Sequence, residues 1–263
     1  ARYNVYMYDV SPEQIEKGMK RISGQLFRQA EKVKLPHEDV KQIYQRLSPS
    51  AALDEAREAF LIIEAAVEQM DVKKDIFTRL DEVTEDSAIL ASNTSSLSIT
   101  ELAAVTKKPQ NVIGMHFMNP VPVMQLVEVI RGLETSGETY ESGVAAAERM
   151  NKVPIEVLDF PGFISNRILM PMINEAVFAL YEGIAEKESI DGIMKLGMNH
   201  PMGPLALADL IGLDTCLYIM ETLHEGFGDD KYRPCPLLKQ YVSAGRLGKK
   251  TGRGFYTYEK QPT

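Results

Sequence analysis

The chain has 263 residues, of which 44% are hydrophobic and 25% charged, a composition that excludes a disordered or low-complexity protein. Its net charge of −8 argues against a general nucleic-acid-binding protein, although a local basic patch could still bind a small anion. Cys216 and Cys235 are too few for a disulfide framework and lack metal-ligand spacing, and no apolar run reaches the length of a membrane span. We therefore expect a cytoplasmic protein with no metal ion and no nucleic-acid or membrane partner.

The first part of the chain alternates strand-like apolar segments with segments of helical periodicity. Residues 4–8 predict a buried strand that ends at Asp9, and Ser11, Pro12 and Glu13 are typical of a helix start. Further strands are predicted at 59–63, 88–91, 112–117, 126–130 and 154–158, and further helices at 36–45, 72–80 and 144–150. The alternation predicts an α/β domain with a mostly parallel sheet over residues 1–158.

The pattern changes after residue 158 to apolar-faced helices rich in methionine. Helices are predicted at 164–180, 189–196, 204–210 and 214–225, with a short strand only at 255–258. Residues 159–263 are therefore predicted to form a second, all-α domain. Its apolar residues exceed what one layer of short helices can bury, which predicts a homodimer through this domain; they include Met170, Met172, Ile173, Leu205, Leu207, Leu210, Leu217 and Met220.

Two ionisable residues interrupt strands that should be apolar. His116 shares a strand face with Gly114, and Glu128 shares one with Ile130. If the chain turns back through residues 119–123, positions 116 and 128 lie equally far from the turn and become cross-strand partners. A carboxylate that holds an imidazole gives a general base with a fixed tautomer. The alternative is a structural histidine at a strand end and an unrelated glutamate.

Polar residues also follow predicted strands. Residues 92–96 end a predicted central strand, where their side chains could bond to a substrate oxygen or a ribose; a turn with a helix cap is the alternative. Asp9 could accept from the ribose hydroxyls of a dinucleotide or could simply form a turn. No arginine stands beside Asp9 to receive a 2′-phosphate, which favours NAD over NADP. Asn166 lies at the start of the first helix of the second domain. It is either a site residue or an ordinary solvent-exposed helix residue.

Charge is unevenly distributed along the first helix. Between positions 17 and 34 a single acidic residue, Glu31, stands among six basic ones: Lys17, Lys20, Arg21, Arg28, Lys32 and Lys34. The G-x-G-x-x-G fingerprint of a phosphate-binding loop does not occur in this sequence. Residues 245–254 are rich in glycine, but they lack the preceding strand and following helix that the fingerprint requires.

Several joined motifs in one order resemble the 3-hydroxyacyl-CoA dehydrogenase family across essentially the whole chain, and within it the bacterial single-function form that acts on 3-hydroxybutyryl-CoA. The motifs are Ala-Ser-Asn-Thr-Ser-Ser at 91–96, His-Phe-Met-Asn-Pro-Val-Pro at 116–122, Leu-Val-Glu-Val at 126–129, Pro-Gly-Phe-Ile-Ser-Asn-Arg at 161–167, Pro-Met-Gly-Pro at 201–204, Gly-Leu-Asp at 212–214 and the segment 248–256.

The resemblance implies an NAD-dependent oxidoreductase that interconverts (S)-3-hydroxyacyl-CoA and 3-ketoacyl-CoA. It implies that His116 is the catalytic base with Glu128 as its partner, and that Ser95 and Asn166 bond to the substrate oxygen. The basic helix, with Lys32, corresponds to the helical hairpin that approaches coenzyme A. NAD-contacting positions of the family are matched by Asp9, Glu68, Lys73, Asn93, Ser95 and Asn119.

The resemblance also implies a Rossmann-like doubly wound domain followed by a helical domain. Family members carry a strand and a Gly-rich loop before the position of Arg2, so we expect this chain to lack the first strand and first helix. Two alternatives stay open from the residues alone: a dehydrogenase for a free hydroxy acid such as a sugar acid, and a non-catalytic structural protein on the same fold. The basic helix favours a CoA thioester, and four intact candidate site residues favour an enzyme.

Overall fold

The computed structural model of the chain describes residues 1–33 and 36–259. Contacts divide it into two compact units: residues 1–94 with 99–157, and residues 95–98 with 158–263. The predicted boundaries assigned residues 95–98 to the first domain, whereas their contacts are with the helical unit. Lys34, one of the predicted basic residues, lies outside the described residues.

The first unit is built on a five-stranded sheet. Its strands are β3 Leu61–Glu64, β4 Ile89–Ser92, β5 Val112–Phe117, β6 Leu126–Arg131 and β7 Val153–Leu158. They lie in the order β3-β4-β5-β6-β7, with β3, β4 and β5 parallel to one another and β6 antiparallel to β5. The predicted α/β class is confirmed.

A separate pair of parallel strands precedes this sheet, β1 (Val5–Tyr8) and β2 (Leu47–Ser50). The prediction that residues 4–8 form a buried strand is wrong about burial, because Val5, Tyr6 and Tyr8 are exposed. Strand β2 is absent from the predictions because its sequence, Leu-Ser-Pro-Ser, shows no apolar alternation.

Helices cover both faces of the five-stranded sheet. Successive residues of a strand point to opposite faces. Ile113 of β5 lies against Gly143 of helix α5 (Gly137–Arg149), whereas Gly114 lies against Ile99 of helix α4 (Ile99–Ala103). No helix in the described part of the chain is long and apolar enough to cross a membrane. The helix bounds in this unit are α1 Pro12–Val33, α2 His37–Tyr44, α3 Met70–Val83, α4 Ile99–Ala103 and α5 Gly137–Arg149.

The second unit contains the helices α6 Ser165–Tyr181, α7 Lys187–Gly197, α8 Pro204–Ile211, α9 Leu213–Phe227 and α10 Pro236–Ser243. Half of the apolar residues that predicted a dimer surface are instead the core of this unit. Met170, Ile173, Leu205 and Met220 are almost fully buried in one cluster, whereas Leu210 is half exposed. Helix α10, which the predictions missed, closes this core through Leu238.

The glycine-rich C-terminal segment folds around the buried carboxylate of Asp209. Asp209 accepts hydrogen bonds from the backbone N–H groups of Phe255 and Tyr256, at 2.9 Å each. A Cβ atom added to Gly254 would lie 1.8 Å from Asp209 Oδ1, so only glycine allows this approach. These contacts replace the strand predicted at 255–258, where the backbone forms only an isolated bridge between Arg253 and Thr257.

Candidate active site

His116 and Glu128 face each other across the antiparallel pair β5–β6. They are direct register partners, and His116 Nδ1 lies 2.8 Å from Glu128 Oε2. Both are buried, with side-chain exposures of 11% and 3%. A carboxylate can only accept, so Nδ1 carries the proton and the imidazole lone pair is at Nε2. The predicted cross-strand pairing is confirmed, and its geometry suits a general base.

The close approach of the two strands depends on Gly114, which lies on the same face as His116. A Cβ atom at this position would lie 2.8 Å from Cβ of Ile130 and 2.9 Å from the side chain of Ile99. Any larger residue would push β6 or α4 away from β5. Gly114 therefore sets the strand spacing that places Glu128 within hydrogen-bonding distance of His116.

The carboxyl ends of β3, β4 and β5 carry a connected set of polar groups. Asn93, which follows β4, accepts a hydrogen bond from the backbone N–H of Phe117 at 2.9 Å. Lys73 of α3 is buried and pairs with Glu64 at 2.7 Å and with Glu68 at 3.4 Å. Ligands of open α/β sheets bind at this edge. The structure thus brings together three residues predicted to contact NAD, namely Asn93, Lys73 and Glu68, in one region.

Ser95 and Asn166 lie together in the second unit. Asn166 belongs to the first turn of α6 and is buried, and its amide Nδ2 donates to the backbone oxygen of Ser95 at 2.9 Å. The adjacent Ser98 hydroxyl donates to Asp159 at 2.8 Å, which anchors the same segment. The two residues predicted to bond to the substrate oxygen are therefore neighbours, and Asn166 orients the backbone at Ser95.

The remaining predicted site residues are more exposed and lie on other elements. Asp9 follows β1 and accepts a hydrogen bond from the backbone N–H of Ser11 at 2.9 Å, the geometry of a turn. The described hydrogen bonds do not join the two-stranded sheet that carries Asp9 to the sheet of His116. Asn119 is exposed after β5, and Lys32 is exposed in the last turn of α1.

Glu64 is a buried polar residue at this edge that is missing from the predicted site, whereas its partner Ser92 belongs to the predicted polar segment 92–96. Glu64 Oε2 accepts a hydrogen bond from Ser92 Oγ at 2.7 Å. The sequence does contain a signal for Glu64, because a carboxylate directly follows the apolar run at 59–63. Within the described ranges, no group of three or more His, Cys, Asp and Glu residues could hold a metal ion.

Comparison with known families assigns both parts of the chain. The family model described as 3-hydroxyacyl-CoA dehydrogenase, NAD binding domain, matches residues 1–160. The model described as 3-hydroxyacyl-CoA dehydrogenase, C-terminal domain, matches residues 162–258. The two matches follow each other in the order of the two compact units.

Curated relatives and solved structures agree with these families. A Bacillus subtilis protein named "Probable 3-hydroxybutyryl-CoA dehydrogenase" is 62% identical over 99% of this chain and 91% of its own. The 3-hydroxybutyryl-CoA dehydrogenase of Bradyrhizobium diazoefficiens is 52% identical over 98% of this chain and 88% of its own. The crystal structure of (S)-3-hydroxybutyryl-CoA dehydrogenase from Ralstonia eutropha aligns with a TM-score of 0.95 at 50% identity, covering 98% of this chain and 91% of that one.

These observations agree on one assignment. The α/β unit, which carries the pair of His116 and Glu128, matches the family's NAD-binding domain, and the helical unit matches the C-terminal domain of the same family. The chain belongs to the 3-hydroxyacyl-CoA dehydrogenase family, whose members are oxidoreductases that use NAD.

Proposed function

We propose that this protein oxidises (S)-3-hydroxybutyryl-CoA to the corresponding 3-ketoacyl-CoA, with His116 as the general base. The observation that carries the proposal is the buried contact of 2.8 Å between His116 Nδ1 and Glu128 Oε2. The short acyl chain is inferred from relatives at 52–62% identity that are named for 3-hydroxybutyryl-CoA.

In the proposed reaction, the oxygen of the substrate's 3-hydroxyl group loses its proton to His116 Nε2. The Glu128 carboxylate holds the Nδ1–H group, so that Nε2 is the basic nitrogen, and it stabilises the imidazolium that forms. NAD, when bound, supplies the acceptor for the hydride that leaves C3. In the reverse direction the imidazolium returns its proton to the ketone oxygen.

The residues predicted to contact the cofactor fit a nicotinamide dinucleotide by their chemistry. Asp9 is exposed and Glu68 is partly exposed, and carboxylates are the usual acceptors for ribose hydroxyl groups. Asn93 and Asn119 add amide groups that can both donate and accept. We propose these residues, together with Lys73 and Ser95, as the NAD contacts of this chain.

We further propose that Ser95 and Asn166 bind the substrate oxygen and that α1 binds coenzyme A. Helix α1 carries exposed cationic side chains that suit the phosphates of CoA, with Lys32 in its last turn as a contact. Lys20 is already paired with Glu16 at 2.6 Å. The other basic residues of α1 therefore contribute more than Lys20 to the attraction for the CoA phosphates.

Steady-state kinetics with a set of substrates tests the proposal. We expect the largest kcat/KM for (S)-3-hydroxybutyryl-CoA, a lower value for a long-chain 3-hydroxyacyl-CoA and almost no turnover of free 3-hydroxybutyrate. Equal or faster turnover of a free hydroxy acid or sugar acid would instead assign the chain to a free-acid dehydrogenase. NADH binding without turnover of any of these substrates would support a non-catalytic protein.

We also propose a homodimer through the helical unit, located in the cytoplasm. Of the apolar residues first predicted, Leu210 is among the exposed side chains that support the dimer; the others now include Ile164, Ile168, Ile184, Ile193 and Leu196. Where such side chains form one contiguous patch, the surface is of the kind that binds a second chain. Light scattering should give twice the monomer mass at micromolar concentration, and a monomer mass would contradict this proposal. The cytoplasmic location is supported by two cysteines that are free and buried.

A further inference from the structure

We propose that Glu64 is a positioning residue that fixes Lys73, and through Lys73 the carboxylate of Glu68, at the edge of the sheet. The inference rests on the proposed function, in which Glu68 contacts NAD. It adds a residue that neither the predicted site nor the family comparison assigns. Glu64 is the last residue of β3, and it acts on the cofactor site through its neighbours.

The Glu64 carboxylate joins three elements at once. Its side chain is 2% exposed, and Oε1 accepts from Lys73 Nζ at 2.7 Å and from the backbone N–H of Ala66. Its other oxygen, Oε2, accepts from the Ser92 hydroxyl at 2.7 Å. Both oxygens are therefore used, and the carboxylate links the ends of β3 and β4 to the first turn of α3.

The Lys73 ammonium lies between two carboxylates. Its side chain is 1% exposed, and Nζ lies 2.7 Å from Glu64 Oε1, 3.4 Å from Glu68 Oε2 and 3.4 Å from the backbone oxygen of Ala66. Glu68 is held on its other side by Thr94, whose hydroxyl donates to Oε1 at 2.6 Å. The position of Glu68 thus depends on how strongly Lys73 is held by Glu64.

Stability alone does not account for this arrangement. A buried ion pair gains little net stability, because desolvation of both charges offsets their attraction, and a packed apolar pair would serve the core as well. The pair instead lies at the carboxyl ends of parallel strands, the edge where ligands bind. Without the negative charge of Glu64, Lys73 would be drawn toward Glu68 and would pull its carboxylate away from Thr94.

The test substitution is Glu64→Gln, which keeps the shape of the side chain and removes its charge. We expect the Kd for NADH, measured by fluorescence titration, to rise about 10- to 100-fold, the effect of one hydrogen bond to a charged group. The KM for NAD should rise by more than kcat falls, because the lost interaction is a binding contact rather than a step of the chemistry.

Asp81→Asn provides the matched control. Asp81 is a buried carboxylate on the same helix, but it lies in the last turn and accepts from the backbone N–H of Lys107 at 2.9 Å. This variant should lose thermal stability and keep the wild-type NADH affinity. Equal effects of Glu64→Gln and Asp81→Asn on the Kd for NADH would overturn the proposal, since both would then act only through stability.

Two further variants keep the test decisive. Ser92→Ala removes the hydroxyl that donates to Glu64 and that also accepts from the backbone N–H of Thr94 at 3.3 Å. If Glu64→Gln does not fold, Ser92→Ala should still raise the Kd for NADH about threefold to tenfold. In a Glu68→Gln background, Glu64→Gln should add little, because both changes affect one contact. Unchanged NADH affinity in a folded Glu64 variant, or fully additive effects, contradicts the inference. Absence of NAD-dependent turnover in the wild-type protein would instead contradict the proposed function.

Discussion

The buried carboxylates on the sheet strands and those of the helical unit have different hydrogen-bond partners. In the α/β unit, Glu64 and Glu128 face the ionisable side chains of Lys73 and His116. In the helical unit, Asp191 accepts from the backbone N–H groups of Leu205 and Ala206 at 2.8 and 3.0 Å, which caps α8. Asp209 similarly accepts from backbone N–H groups of the C-terminal segment. Each aspartate also accepts from one tyrosine hydroxyl, Asp191 from Tyr256 and Asp209 from Tyr258, both at 3.0 Å.

The comparison shows that burial by itself does not identify a functional carboxylate. Glu128 and Asp209 are 2% and 1% exposed, so their solvent environments are nearly the same. A backbone N–H group cannot release its proton, and the tyrosine hydroxyls that also bond to Asp191 and Asp209 keep theirs near neutral pH because burial raises their pKa. These two carboxylates therefore serve to fix structure. The imidazole of His116, in contrast, has a ring nitrogen that can accept a proton from a substrate and return it, which makes the pair of His116 and Glu128 suited to chemistry. The following substitutions test this distinction.

His116→Ala should have the largest effect. It removes the group that accepts the hydroxyl proton, so we expect kcat to fall by about 10²- to 10⁴-fold, the range of general base catalysis. The Kd for NADH should change little, because the imidazole acts in the chemical step. The measurement is steady-state NADH formation together with NADH titration. A kcat within about a factor of two of wild type would remove His116 from the mechanism.

Glu128→Gln should reduce kcat by about 10²-fold, because an amide neither stabilises the imidazolium nor fixes the tautomer as a carboxylate does. Stopped-flow measurement of the first turnover separates this effect from product release. Glu134→Gln, at an exposed position of the same unit, is the control and should behave as wild type. A similar loss in both variants would show that the cross-strand contact has no special role.

Asp209→Asn should affect stability rather than catalysis. The amide presents donors where Asp209 now accepts from Phe255, Tyr256 and the Tyr258 hydroxyl. We expect a loss of about 2 kcal/mol in the free energy of unfolding, because at least one buried donor is left without an acceptor. Urea denaturation measures the loss, and kcat at low temperature should stay near wild type. A loss of kcat with unchanged stability would contradict the structural role assigned to Asp209.

Tyr258→Phe should have the smallest effect on the free energy of unfolding. It should also change how that free energy depends on pH in the alkaline range. Burial and the hydrogen bond to Asp209 raise the pKa of the Tyr258 phenol above its ordinary value. The folded state therefore retains this proton, and stability falls as pH rises above about 10, where the phenol ionises in the unfolded chain. The free energy of unfolding of the variant should be about 1 kcal/mol lower at neutral pH, and it should fall less steeply than that of wild type as the pH rises.

Chemical denaturation across the alkaline range measures this slope. The exposed Tyr181 provides the control, and Tyr181→Phe should show the same decline as wild type. Identical slopes for Tyr258→Phe and wild type would mean that the proton on Tyr258 does not contribute to stability.

Local patterns in the sequence predict much of the sheet and of the catalytic pair. Strand β5 matches its predicted range, and the equal distance of His116 and Glu128 from a turn predicts their register correctly. In both cases the information is local, because apolar runs mark buried strands and a hairpin couples nearby residues.

Interactions between distant segments are the part that the sequence does not predict. Glu64 and Ser92 are 28 positions apart, and their contact requires β3 and β4 to be adjacent in the sheet. Strand β2 contains proline and serine and forms only because β1 lies beside it. The burial of Met170 and Met220 likewise depends on the packing of several helices, which residue composition cannot specify.

The assignment of residues 95–98 to the helical unit has a consequence for recombination between relatives. The chain passes from one unit to the other after Thr94, returns before Ile99 and passes again after Val157. A crossover at residue 158 would therefore combine the helices of one parent with a Ser95–Ser98 segment from the other. Asn166, which bonds to the backbone oxygen of Ser95, and Asp159, which bonds to the hydroxyl of Ser98, would then face a segment from the other parent. Chimaeras that exchange residues 95–98 together with the helices should retain these bonds, which identifies the transferable module as a discontinuous one.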